Sequence, residues 1–311
     1  MLRKAAMLVA LGFSAGAQAE VLPIISGEPA SAAEVAMMHG VAVDQFSGSD
    51  GRALAAAFER QLARATDRAG ADYFAIYSLQ SPGAADRVEV VFEGGASASV
   101  EERRTQQKRR YCKDAEKPRT DCEDKVKEER EVTCRQRVIA LTSDLRAARE
   151  LDGRIIYSRA LPRRDEVTWC PADAAPPASE DVISRMIGDV AADFADDFTP
   201  LWQNQAVRVL ESRKGLSKDQ GNRFKAALKA TKTDAGEACR LFDDLAAEAA
   251  SQRSLAYNAA LCAEMRGDWE TALARFEAMA GDRDANAAAR RVQGTMAALA
   301  LEEERSRRRS E

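Results

Sequence analysis

The six cysteines, Cys112, Cys122, Cys134, Cys170, Cys239 and Cys262, carry the most definite chemistry in this chain. A thiolate can hold zinc, exchange electrons or close a disulfide, and spacing decides among these uses. No Cys-x-x-Cys pair occurs and His39 is the single histidine, so neither a zinc centre nor a thioredoxin-type redox motif is expected. An even number of widely spaced cysteines points instead to structural disulfides. Cys112 and Cys122 enclose a polar segment with Pro118 and should staple a loop. For Cys134 and Cys170 the argument is one of register. If Asp152-Gly153 makes a two-residue hairpin turn, Leu151 faces Arg154 and Cys134 falls opposite Pro171; one bulge near Pro162 then brings it to Cys170.

The remaining groups offer little for catalysis. His39 has no second histidine and no nucleophile motif to serve, which leaves it a structural role. Asp196-Asp197 and Asp243-Asp244 are adjacent on predicted helices, so their side chains diverge toward solvent. Carboxylates distant in sequence could still converge as a glycosidase-type pair. Gly94-Gly95-Ala96 lacks the Lys-Ser/Thr of a phosphate loop. No cofactor and no metal is expected, and the chain is read as a non-enzyme.

Stepping outward to the elements, residues Ser254 to Met279 form the clearest pattern. Ala256, Ala259, Ala260 and Ala263 mark one face of a helix, Arg266-Gly267-Asp268 a turn, and Ala272 and Phe276 one face of a second helix. Ala238 and Phe242 repeat the last pair 34 residues earlier, and Gly294 lies 34 residues after Ala260. This spacing of paired helices resembles the tetratricopeptide repeat. Ala256, Ala260, Ala272 and Phe276 match the family's packing positions, whereas Ala259 and Ala263 stand where it has larger residues. The resemblance implies two repeats and a capping helix over residues 213–304, followed by a charged, frayed tail at 305–311. It also implies that Cys239 and Cys262, on helices that stack in such arrays, are bonded. The groove of such a stack commonly receives a protein or peptide. The residues assigned to that inner face are Asn222, Lys225, Lys229, Tyr257, Asn258, Leu261 and Arg291.

Earlier in the chain, Arg3 and Lys4, the apolar run Ala5–Phe13 and Ala17-Gln18-Ala19 make a secretory signal over residues 1–19. Its removal takes two cations and no acid, moving the formal charge from −4 to −6. An acidic protein of this kind is a poor general binder of nucleic acid. Residues 20–35 read as a loose leader. A strand follows at Gly40–Phe46, then a helix capped by Ser49 or Asp50 with Leu54, Phe58 and Leu62 on one stripe. Strands follow at Tyr73–Tyr77 and Arg87–Phe92. From 96 to 131 the pattern gives way to charge, with a basic run at 103–110, and reads as a solvated insertion. Val132–Leu145 and Arg154–Ala160 are paired strands. Ser179 caps a long helix whose Val182, Met186, Ile187, Val190 and Phe194 form a wide apolar stripe, and Pro200 stops it.

Gly70-Ala71-Asp72-Tyr73 before one strand, Gly153-Arg-Ile-Ile-Tyr157 beginning another and the helix ending in Phe-x-Pro resemble the TolB amino-terminal domain and the related CsgG-like periplasmic domain. The resemblance covers about 36–202 and implies non-catalytic work in envelope assemblies. The expected fold is therefore an α+β domain over 36–212, a mixed sheet packed by two helices, followed by an all-α tetratricopeptide-like domain. The expected function is that of a periplasmic or extracellular-face adaptor or scaffold. It would bind an envelope protein or peptide, with no transmembrane segment in the mature chain and with assembly into an oligomer or larger complex, at the outer membrane among other sites. The rival expectations are an envelope polysaccharide or peptidoglycan hydrolase, and a dedicated subunit of a secretion or motility machine.

Overall fold

The computed structural model describes residues 20–83, 86–113 and 119–310; the expected export signal at 1–19 lies outside the described residues. In chain order the elements are β1 (Val21–Glu28), α1 (Ala33–Ala36), β2 (Gly40–Val43), α2 (Gly51–Leu62), β3 (Ala75–Ile76), β4 (Val90–Cys112), β5 (Lys127–Arg149), β6 (Ile155–Ala160) and β7 (Arg163–Trp169). Then come α3 (Ser179–Asp196), β8 (Leu201–Arg208), α4 (Lys218–Ala230), α5 (Ala235–Glu248), α6 (Arg253–Met265), α7 (Trp269–Glu277) and α8 (Arg283–Ser310). The chain is thus a mixed α and β protein. It divides into two compact units, one holding residues up to Gly27 together with Trp202–Met296, the other holding Glu28–Leu201 with Ala297–Glu311.

In the unit that contains most of the β-structure, six strands run in the order β3-β2-β4-β5-β6, with β7 also on β5. β2 is parallel to β3 and β4, while β5 is antiparallel to β4, β6 and β7, so the sheet is mixed. Along β5, Ile139, Leu141, Leu145 and Ala147 are buried and Thr142, Asp144 and Arg146 are exposed, the period-two pattern of a sheet covered on one face. Leu54, Phe58 and Leu62 of α2 and the Val182, Met186, Ile187, Val190 and Phe194 stripe of α3 belong to the same core. Each such side chain, fully buried, contributes roughly 1.5–3 kcal/mol before entropy. Phe58, Phe92 and Phe198 sit at its centre with ring centroids 5.0–6.0 Å apart.

In the segment expected to be a solvated insertion, residues 96–112 and 127–131 are instead strand. β4 and β5 pair without interruption from Val90 opposite Arg149 to Cys112 opposite Lys127, a ribbon roughly 75 Å long at the usual rise per residue. In its distal half β4 is mostly exposed from Glu101 to Arg110, which is why no apolar alternation marks it there, while Tyr111, Cys112, Cys134, Arg137 and Val138 are buried. A disulfide joins Cys112 to Cys122 at the tip. Cys134 is bonded to Cys170, and the chain reaches that register by a different route from the one expected: Arg149 rather than Leu151 faces Arg154 across a longer turn, and the shift lies between Ala147 and Ala148, not near Pro162. From there β6 and β7 keep one register, and Trp169 opposite Arg135 leaves the next residues facing each other as the cysteine pair.

Two expected caps take other roles. Asp50 stands at the start of α2 but its carboxylate accepts from the Ala98 amide at 2.8 Å and the Ser49 hydroxyl at 2.6 Å. Ser179 is the first residue of α3, behind Ala178, and its hydroxyl accepts from Arg137 Nη1 at 3.1 Å.

In the other unit the expected loose leader is strand β1, paired with β8. Leu22, Ile24 and Ser26 alternate inward in β1, and Pro23 is exposed. Gly27 is obligatory there, since a Cβ would lie 2.5 Å from the Trp202 ring. Helices α4 to α7 each pack on the next, as far as the α6·α7 pair. Ala238, Phe242, Ala260, Ala263, Ala272 and Phe276 share one core with Ala285, Ala288 and Val292 of α8. Asp234 and Asp268 cap α5 and α7 with their side chains, and Gly267 takes φ 78° in the expected turn. A third disulfide joins Cys239 of α5 to Cys262 of α6. The supposed frayed tail is part of α8, which continues to Ser310.

Two outcomes follow from this packing. Phe276 is fully buried, so Phe276→Ala should lower stability by roughly 3–5 kcal/mol, read as a lower thermal midpoint. Hydrogen bonds from Arg253 hold the Asp282 carboxyl at about 2, below its ordinary 3.8. Its contribution is complete above the unfolded value and is lost as pH falls through the folded one; urea midpoints should drop between about pH 4 and pH 2, less steeply in Asp282→Asn.

Candidate partner-binding cleft

The capping box of α4 starts the site. Ser217 Oγ accepts from the Gln220 amide at 3.2 Å and Gln220 Oε1 accepts from the Ser217 amide at 3.1 Å, which fixes where the helix begins. Gly221, Phe224 and Ala227 then turn inward, with Phe224 edge-on to Phe242 at 5.7 Å. That rotation leaves Asn222, Lys225 and Lys229 on one exposed stripe. Together with Glu20, Glu211, Arg213, Leu228 and Lys232 they line an open cleft of about 610 Å³.

Charge in the cleft is unevenly compensated. Lys232 Nζ lies 3.1 Å from Glu20, and its hydrogen bond holds the Glu20 carboxyl below the usual range. Glu211 accepts from Arg208 Nη2 at 2.9 Å. Both acids therefore have cations of their own. Arg213, Lys225 and Lys229 have no ion pair among the described residues and face solvent. Three uncompensated cations beside an amide and a small apolar strip can receive carboxylates from an extended chain.

The other four residues assigned to the inner face are structural. Tyr257 is only 6 % exposed, its ring 5.6 Å from Phe276 and its phenol pushed up by burial. Leu261 is fully buried in the shared core. Asn258 is also fully buried: its Oδ1 accepts from the Leu210 amide at 2.8 Å and its Nδ2 donates to the Leu210 carbonyl at 2.9 Å. This amide closes both backbone groups of a residue just after β8. Arg291 donates to Glu264 at 2.7 and 2.6 Å, and the Glu264 side chain is wholly inaccessible. A helical-wheel reading could not separate these residues from the exposed stripe, because their partners, such as Phe276, Leu210 and Glu264, lie on other segments. It also missed Glu20, Glu211, Arg213 and Lys232, of which only the density of basic residues from Arg213 to Lys232 was a usable signal.

The suspected acid pairs part ways. Asp243 pairs with Arg266 and Arg275 while Asp244 pairs with Arg240. Asp196 is exposed, but Asp197 is not solvent-facing as expected: it accepts from Ser31, Tyr157 and Arg159. Burial and the neighbouring Asp193 and Asp197 raise the Asp196 carboxyl. His39 is half-buried, its pKa lowered by that burial and by Arg309 and Arg305. Among the described residues no group of three or more His, Cys, Asp or Glu is placed to hold a metal ion. No helix among them is long and apolar enough to cross a membrane. Three disulfides fit an oxidising compartment, secreted or periplasmic.

No protein-family model and no curated protein matches the chain. Among solved structures it is similar to a neuraminyllactose-binding hemagglutinin homolog from Helicobacter pylori, at 11% identity and TM-score 0.32, covering 55% of this chain and 88% of that one. Two dodecameric PelC structures from Paraburkholderia phytofirmans align at 15% and 14% identity with TM-scores of 0.24 and 0.25, covering 57% of this chain and 99% and 97% of theirs. At these scores the likeness carries no assignment.

Removing one member of the buried ion pair should cost more than any change on the exposed stripe. Arg291→Met leaves Glu264 charged and buried, and should lower stability by roughly 3–5 kcal/mol in urea unfolding, with Lys225→Met near zero.

Proposed function

We propose that this is a non-catalytic adaptor of the bacterial cell envelope that docks an extended, acidic segment of a partner protein. The observation that carries the reading is the exposed stripe of Asn222, Lys225 and Lys229 in a cleft whose acids are already matched. Reading α4 to α7 as tetratricopeptide-like hairpins supports it, since such hairpins offer a helical surface to a guest chain. The TolB and CsgG resemblance of the sheet-bearing unit supports an envelope assembly as the setting. Carboxylates of the guest would meet Arg213, Lys225 and Lys229, while Asn222 would bond its backbone. Because these cations are solvated, the attraction is screened by salt and acts on encounter as much as on affinity.

Peptide display against the folded protein tests this. Acidic sequences should be enriched, and Lys225→Glu with Lys229→Glu should weaken the selected peptides at least about tenfold, with binding falling as salt rises. Enrichment of purely apolar or basic sequences, or affinity indifferent to the double charge reversal, would refute the assignment.

A further inference from the structure

Arg305 is an anomaly of charge in the sheet-bearing unit. It is only 4 % exposed, yet no carboxylate among the described residues pairs with it. Its guanidinium stacks 3.9 Å from the Tyr73 ring centroid and 5.9 Å from that of Phe74. Nη2 lies 3.3 Å from His39 Nδ1, and Nε has no hydrogen-bond partner. Neither neighbour is an anion. Burial lowers the His39 pKa and pushes the Tyr73 phenol up to about 12, while the Tyr73 hydroxyl donates to the Ala36 carbonyl at 2.9 Å. A desolvated cation without a counter-ion is costly, and an anion placed close to the guanidinium would offset that cost.

A route for one exists. Arg305 lines a cavity of about 370 Å³ together with Arg68, Arg309, Ser306, Asp67 and Glu302. The two carboxylates are engaged by backbone: Asp67 Oδ1 accepts from the Ala69 and Ala71 amides, each at 2.9 Å, and Glu302 Oε1 accepts from the Arg68 amide at 3.3 Å. Arg309 is exposed at the rim and makes no ion pair among the described residues. Arg305 and Arg309 thus stand beside two acids that are already engaged. The planar fork of arginine matches a tetrahedral oxyanion on two of its oxygens, and the space exceeds what one ion fills.

We propose that this cavity binds a phosphate group, held by Arg305 at its base and Arg309 at its rim, with the Ser306 hydroxyl as an added donor. Free phosphate and a phospholipid headgroup present the same oxygens. The site belongs to a different unit from the cleft described above and does not rest on the adaptor reading.

The test uses the full chain and two probes, inorganic phosphate and short-chain phosphatidylglycerol below its micelle concentration, each against chloride at matched ionic strength. The Arg305 Nε–H resonance should move saturably with at least one probe; competition between them identifies the headgroup as a source. Arg309→Gln should weaken binding about tenfold with an unchanged circular dichroism spectrum and thermal midpoint, a control that remains readable if Arg305→Gln fails to fold. Three results each overturn the proposal: no saturable movement with either probe, acetate binding as tightly as phosphate, or unchanged affinity in Arg309→Gln.

Discussion

The register of β5 is the constraint on which the sheet-bearing unit depends. One edge of this strand is occupied along its whole length by β4, and the other is shared by β6 and β7 in succession. A slip of one residue would turn Ile139, Leu141 and Leu145 to solvent and carry Cys134 away from Cys170. The shift between Ala147 and Ala148 reconciles the turn with the rest of the ladder. Farther along, the ribbon is held by its backbone ladder, by the two disulfides at Cys112 and Cys134, and by the buried Tyr111, whose hydroxyl donates to the Pro171 carbonyl.

The helical unit is organised by small side chains and by a few buried polar groups that have found partners. Alanines at 238, 260, 263, 272, 285 and 288 allow close approach, and Phe224, Phe242 and Phe276 fill the volume between. Asn258 and Glu264 lie in the same interior with no exposure. Each is tolerated because its hydrogen-bonding capacity is met, the amide by Leu210 and the carboxylate by Arg291. Polarity in a sequence is therefore a poor guide to surface here: two polar residues that read as partner-facing are structural, while plain lysines on α4 stay available.

Much of this was legible along the chain because it rests on local periodicity. The stripes of α2 and α3, the inward Ala238, Phe242, Ala272 and Phe276 of α5 and α7 and the alternation of β5 repeat at the period of their element, whereas α6 is buried nearly all round and leaves the expected Ala256 only half-buried. Asn222, Lys225 and Lys229 kept their expected exposure because α4 has a single buried face, set by Phe224 and Ala227. Strand β1 was hidden by Pro23, whose exposed position on a two-stranded ribbon needs no inward side chain. The distal half of β4 was hidden because its residues from Glu101 to Arg110 are mostly solvated and carry no hydrophobic period.

The amino-acid sequence by itself determined the main helices, several strands, their apolar faces and an even set of cysteines, since these follow from residue type and nearest-neighbour geometry. Only the tertiary structure decided which polar residues remain outside. Tyr257, Asn258 and Leu261 are buried, Arg291 is tied to the buried Glu264, and Arg305 was drawn from an apparent tail into an aromatic niche. Exposure is the sum of what every other element excludes from water, and no window along one helix contains that information.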